Sequence, residues 1–103
     1  MSRIRKTDVF KKYMNKLKDH IAKAHINRRI DRLENGNPGE WKSVGDGVCE
    51  MIINYGPGYR VYYTDTGREI IIILCAGDKS SQQDDIDRAK KLAQEEEEYD
   101  ENK

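Results

Sequence analysis

Apolar positions recur with helical spacing in the first third of the chain and with strand spacing in the second. Phe10, Met14, Leu17 and Ile21 fall at i, i+4, i+7 and i+11, one face of a helix. Thr7 ahead of them predicts an N-cap, and Asp8 suits a first helical turn. Lys11, Lys12, Lys16 and Lys18 lie between the apolar positions as a solvated basic face. Asp19 predicts a restart, with Ala22, Ile26, Ile30 and Leu33 as the next stripe. "NGNPG" ends that helix with residues that tolerate positive φ or exclude helix. The two helices are expected to form an antiparallel hairpin. "SRIRKT", ahead of both, has the length of an edge strand.

After Trp41 the period changes. "GVCEMIINY", "GYRVYYTD" and "REIIIILCAG" read as three strands, separated by Gly56-Pro57-Gly58 and by Asp65-Thr66-Gly67. Connections this short predict hairpins, hence an antiparallel meander. Ile70 through Leu74 is apolar on both faces, so the last strand is expected to be central or covered on both sides. "GDKSSQQDDIDRAKKLAQ" opens a final helix, with Ser81 and Asp84 at capping-box spacing and a narrow stripe of Ile86, Ala89, Leu92 and Ala93. The predicted fold is α+β: an N-terminal helical hairpin packed on a small antiparallel β-sheet, with a short C-terminal helix. Residues 1–94 make one domain, and the acidic residues 95–103 are expected to be a disordered tail.

Composition narrows the classes. A chain of 103 residues with 37% charged side chains and a mean hydropathy of -0.97 has a small core. The longest apolar run is too short to span a bilayer, and the first residues lack the apolar stretch of a signal peptide. The expectation is a cytoplasmic protein with no membrane partner. The net charge of +0 hides a gradient. Residues 1–42 hold 12 Lys/Arg against 5 Asp/Glu, residues 43–83 hold 3 against 5, and residues 84–103 hold 4 against 9. A basic surface thus coexists with an acidic end, and a polyanionic partner is compatible with the balance.

No metal or cofactor is expected. His20 and His25 are five apart and do not share a helix face. Cys49 and Cys75 have neither CxxC spacing nor a third ligand, and read as reduced core residues. "VGDGVCE" leads into a strand and offers no helix N-terminus to a phosphate. The cationic residues are more informative. In "YGPGYRVYY", with Tyr59, Val61 and Tyr63 inward, Arg60 and Tyr62 fall on an open sheet face. Lys79, at the turn after the last strand, lies within reach of that face if the strands are neighbours. Arg or Lys beside exposed tyrosines suits a phosphate and a stacked base. The competing assignment is structural: Arg60 paired with Glu50 or Glu69 across the sheet.

"RIDRLENGNPGEWKSVGDGVCEMIINYGPGYRVYY", followed by "GREIIIILCAGDKSSQQDDIDRAKKLA", resembles the RelE/ParE toxin superfamily, and within it the phage-derived, HigB-like addiction-module killer proteins. The resemblance runs from about Arg5 to Gln94 and rests most on "GPGYRVYY" and "AGDKSSQ". It implies a type II toxin held by a co-encoded antitoxin, often a helix-turn-helix protein. It further implies a ribosome-dependent mRNA endonuclease whose product ends in a 2′,3′-cyclic phosphate. Arg60 would bind the scissile phosphate, and Lys79 would stabilise charge or protonate the leaving group. Lys42, Tyr62, Asp78 and Arg68 would contact RNA. Glu50, Met51 and Ile52 stand where RelE has lysines or its relatives an arginine, and Asp84 or Asp85 stands in place of a C-terminal-helix tyrosine. These departures keep two further readings open: a ParE-like inhibitor of DNA gyrase, and a weakened toxin acting only as an antitoxin-binding partner.

Overall fold

Helices form where caps and stripes coincide. Thr7 accepts from the Phe10 N–H at 3.1 Å and opens α1 (Asp8–Lys16). Asp19 accepts from Ile21 and Ala22, both at 3.0 Å, and opens α2 (His20–Glu34). The computed structural model describes residues 2–101, with side chains described as far as Glu97. The strands are β1 (Arg3–Lys6), β2 (Trp41–Gly45), β3 (Val48–Ile53), β4 (Tyr59–Asp65) and β5 (Ile70–Asp78). A 3₁₀ turn over Lys79–Ser81 leads into α3 (Gln82–Glu101).

The predicted architecture needs correction. The chain opens with a strand, and five strands form one mixed sheet in the order β1-β5-β4-β3-β2. β1 runs parallel to β5, pairing Arg3 with Ile70 through Lys6 with Ile73, while the other pairs are antiparallel. Residues from Trp41 to Gly45 add an edge strand outside the expected meander. The helices do not form a hairpin unit packed on itself: α1 lies along β5 and α2 against β3. α1 stops at Lys16, so Ile21 falls outside its stripe and is 60% exposed. Each helix carries one narrow apolar stripe, and the sheet offers the larger apolar surface to bury it. α3 is 20 residues long, not short, and covers the opposite face of the sheet. The acidic stretch expected as a tail from Glu95 continues α3 as far as Glu101, and Asn102 and Lys103 lie outside the described residues.

Two cores result. Phe10, Ala22, Ile26, Ile30 and Leu33 meet Met51, Ile53, Tyr59, Val61, Tyr63, Ile71 and Ile73 on one face. Val48, Tyr62, Ile72, Leu74, Cys75 and Ala89 form the other, under α3. β5 is buried on both sides and has partners at both edges over its first half, as its unbroken apolar run predicts. A register shift between Tyr62 and Tyr63 leaves Leu74 unopposed, so Ile72, Leu74 and Cys75 all serve the α3 core. Thr7 Oγ1 donates to the Leu74 carbonyl at 2.6 Å, tying the start of α1 to this bulge.

Candidate functional site

The end of the sheet where β4 starts and β5 stops gathers the candidate cations. Tyr55 to Gly58 forms a turn closed by the Gly58 N–H on the Tyr55 carbonyl at 3.1 Å. Gly58 has φ +81, and a Cβ there would lie 2.8 Å from Arg60 Nη1 and 3.7 Å from the Lys79 Cβ. The positive φ favours glycine, and a Cβ would also push the Arg60 guanidinium aside, whereas the Lys79 Cβ lies at ordinary contact distance. Arg60 folds back over this turn and donates from Nη1 to the Gly58 carbonyl at 2.6 Å. Its Nε is buried with no hydrogen-bond partner, and no described carboxylate lies within ion-pair distance of it. The structural assignment of Arg60 to Glu50 or Glu69 is thus not what the fold uses.

Asp78 closes β5 opposite Tyr59 and caps the 3₁₀ turn that begins at Lys79. Its Oδ1 accepts from the Ser80 N–H at 2.8 Å and from the Ser80 hydroxyl. The hydroxyl contact chiefly holds the Asp78 carboxyl below the usual range, and the Arg60 charge adds to it. Lys79 is exposed. The expected capping box is replaced: Asp78 takes the cap, and the Ser81 hydroxyl donates to Asp85 at 2.6 Å, not to Asp84.

Asp85 is nearly buried and sits over Gly77, the register partner of Arg60. A Cβ on Gly77 would lie 1.8 Å from Asp85 Oδ2, so the missing side chain makes room for this carboxylate, which Arg88 Nη2 contacts at 3.2 Å. From α1, Tyr13 faces the same corner. Burial chiefly pushes its phenol up to about 12, with Tyr59, Asp78 and Asp85 adding to the effect. Tyr13 escaped the sequence reading, although its position three residues after Phe10 marks it as part of the α1 stripe.

Tyr62 requires a correction. It lies on the predicted face, but α3 covers that face, leaving it 0% exposed. Its hydroxyl donates to Glu50 Oε2 at 2.8 Å. Burial is the main reason its phenol is shifted strongly upward, with the Glu50 hydrogen bond second. Glu50, also 0% exposed, accepts from Gln82 Nε2 at 3.0 Å and lies 3.6 Å from Lys42 Nζ. Lys42, Glu50 and Tyr62 are register neighbours across β2, β3 and β4, one same-face step from Arg60. Lys42 is 57% exposed and shares the Arg60 face. Arg68 does not join the group. It follows the opposite end of β4 and lines an open cleft of about 910 Å³ with Asp46, Thr64, Thr66, Lys90 and Lys91.

The corner thus holds a fixed guanidinium, an ammonium, two carboxylates and a phenol, drawn from β4, β5, α3 and α1. Such a set can grip an anion and exchange protons with it. No group of three His, Cys, Asp or Glu among the described residues is arranged to hold a metal ion, and no described helix is long and apolar enough to cross a membrane.

Comparison with known proteins gives consistent results. The profile of the family described as phage derived protein Gp49-like (DUF891) matches residues 12–96. An uncharacterized protein of Haemophilus influenzae is 51% identical over 92 residues, covering 89% of this chain and 93% of that protein. The chain belongs to the phage-derived Gp49-like family (DUF891), a family of addiction-module, RelE-like toxin type.

Proposed function

We propose that this chain is the toxin of a type II toxin–antitoxin pair, and that it acts as a HigB-like, ribosome-dependent endoribonuclease on mRNA. Family membership supports the toxin–antitoxin class. The observation that carries the nuclease reading is Arg60: a pre-oriented guanidinium with no carboxylate partner among the described residues, beside exposed Lys79.

In the proposed reaction the ribose 2′-hydroxyl attacks its own 3′ phosphate. The O2′–P bond forms as the bond from phosphorus to the 5′ oxygen breaks, leaving a 2′,3′-cyclic phosphate and a 5′-hydroxyl. Arg60 holds the non-bridging oxygens, where negative charge grows. Lys79 stabilises that charge and supplies the proton taken by the leaving oxygen. Asp78, whose carboxyl feels the Arg60 charge, is the candidate to accept the 2′-hydroxyl proton, whereas Asp85 is engaged by Arg88 and Ser81. Lys42 extends the positive track along the same face, whereas Tyr62 acts indirectly, by holding Glu50. The proposed partners are the ribosome with its mRNA and a helix-turn-helix antitoxin whose acidic segment would cover the basic N-terminal region.

One observation favours a binding-only alternative such as gyrase inhibition. Ile52 is the register partner of Arg60, so β3 brings no cation or proton-transfer group to that point. Inducible expression of the wild type and Arg60→Ala tests the nuclease reading. Growth arrest should require the arginine, and a folded Arg60→Ala protein that arrests growth equally well rejects the reading.

A further inference from the structure

The same end of the molecule carries a row of aromatic residues with no role in the phosphate grip. The His25 ring, on α2, lies 4.7 Å from the Tyr55 ring at an interplanar angle of 34°. Tyr55 in turn stacks on Tyr59 at 6.4 Å and 16°. His25 and Tyr55 are half-buried and each keeps part of its surface in solvent, while Tyr59 is buried beneath them. The Tyr55 hydroxyl donates to Asp19 Oδ2 at 3.1 Å, which fixes the ring in place. Tyr55 opens the turn whose last residue, Gly58, accepts from Arg60, so the stack and the guanidinium sit on opposite shoulders of one four-residue turn.

Around the Asp19 carboxylate that anchors Tyr55, the flanking chain is basic. Lys16 and Lys18 are exposed on the segment leading into α2, within the region that carries 12 Lys/Arg against 5 Asp/Glu. Rigid rings flanked by cations are how sequence-tolerant single-strand binding is built: the rings stack bases and the cations track the backbone. A stack serving only to brace the turn would satisfy itself in the core, as Tyr59 and Tyr63 do, and would not expose a histidine beside a tyrosine.

We propose that the His25–Tyr55 stack is a base-stacking platform for single-stranded RNA, seating a nucleobase on the α2 side of the Tyr55–Gly58 turn, across that turn from the phosphate held by Arg60. This rests on the nuclease reading for its orientation, but stands or falls on its own contacts. Binding of a base here fixes the distance from a stacked nucleotide to the gripped phosphate. It therefore confers a preference for a base-bearing nucleotide at one position relative to the scissile bond.

The test is an NMR titration with a mixed-sequence hexanucleotide carrying 2′-O-methyl riboses, which lack the attacking hydroxyl, and with its abasic counterpart. The base-bearing strand should shift the ring resonances of His25 and Tyr55 and bind about 5- to 150-fold tighter than the abasic strand, the range expected for one stacked base. Tyr55→Ala and His25→Ala should bring the two strands towards equal affinity, and Tyr55→Phe should not. If Tyr55→Ala fails to fold, His25→Ala carries the comparison. Equal affinity of the two strands for the wild type, or unmoved ring resonances, overturns the platform. So does displacement of the rings by an acidic peptide but not by RNA, which assigns the surface to a protein partner. Arg60→Ala should weaken both strands equally. If it changes neither while the ring shifts persist, the phosphate grip fails and the platform remains.

Discussion

The Arg60 guanidinium donates to the Gly58 carbonyl at 2.6 Å, and no carboxylate among the described residues lies within ion-pair distance of it. Glu50, the obvious cross-strand partner, is instead committed to Tyr62, Gln82 and Lys42. A half-buried arginine held by a backbone dipole keeps its charge available, at the cost of leaving Nε without a partner. Arg60→Ala should therefore cost only about 1 kcal/mol of stability, since it breaks one hydrogen bond and no described ion pair. Arg60→Lys should keep the charge but lose the planar fork, and retain only part of any activity. Urea denaturation together with growth arrest on induction checks both.

Gly58 makes that geometry possible, so it is the sharpest remote test. With φ +81 and a Cβ 2.8 Å from Arg60 Nη1, Gly58→Ala should displace the guanidinium and cost about 1–2 kcal/mol of stability. Activity should fall much further than stability at a temperature where the variant is folded. Equal loss of both would mean that Gly58 serves the turn alone.

Glu50 is a buried acid with three donors around it. Glu50→Ala strands the Tyr62 hydroxyl and the Gln82 amide, and should destabilise by about 3 kcal/mol. Glu50→Gln retains an acceptor and should cost less than half as much. Denaturant midpoints for the two variants check the order, and a reversed order would show that the carboxylate is held at a net loss.

Two core groups give a pH signature. Burial pushes the Cys75 thiol up to about 11, from an ordinary value of 9.0, and the Tyr13 phenol up to about 12, from 10.0. Below the unfolded values both states are protonated and stability is unaffected. As the pH rises through the window from the unfolded to the folded value, the unfolded chain loses a proton that the folded chain keeps, so stability falls. The urea midpoint should drop between about pH 9 and about pH 12, and Cys75→Ala should make the drop shallower over the lower part of that window. An unchanged slope in that variant would assign the fall to other groups.

Local signals were the most legible in the sequence. Thr7 and Asp19 are N-caps, Ala22, Ile26, Ile30 and Leu33 are all buried, and the Gly-Pro-Gly turn joins antiparallel strands. What escaped depends on contacts between distant residues. "RIRK" carries no sign of its parallel pairing with Ile70–Ile73, and that pairing turns a small meander into a five-stranded mixed sheet. Tyr62 alternates onto the predicted face, but whether that face is open depends on α3, whose length was underestimated because its second half is acidic and lacks a stripe. Arg60, Asp78 and Lys79 were legible as a group because a strand end and a following turn lie close in sequence and in space. Tyr13, Asp85 and the His25–Tyr55 stack reach the same corner only through the packing of α1, α3 and α2 on the sheet.

The central claim is that the corner around Arg60 cuts messages. Its most direct measurement is mapping of mRNA 5′ ends after brief induction of the wild type and of folded Arg60→Ala. The account predicts new ends inside translated codons for the wild type, with 2′,3′-cyclic phosphates on the upstream fragments, and none for the variant. Intact messages accompanied by DNA damage, or the same ends from the variant, would contradict it.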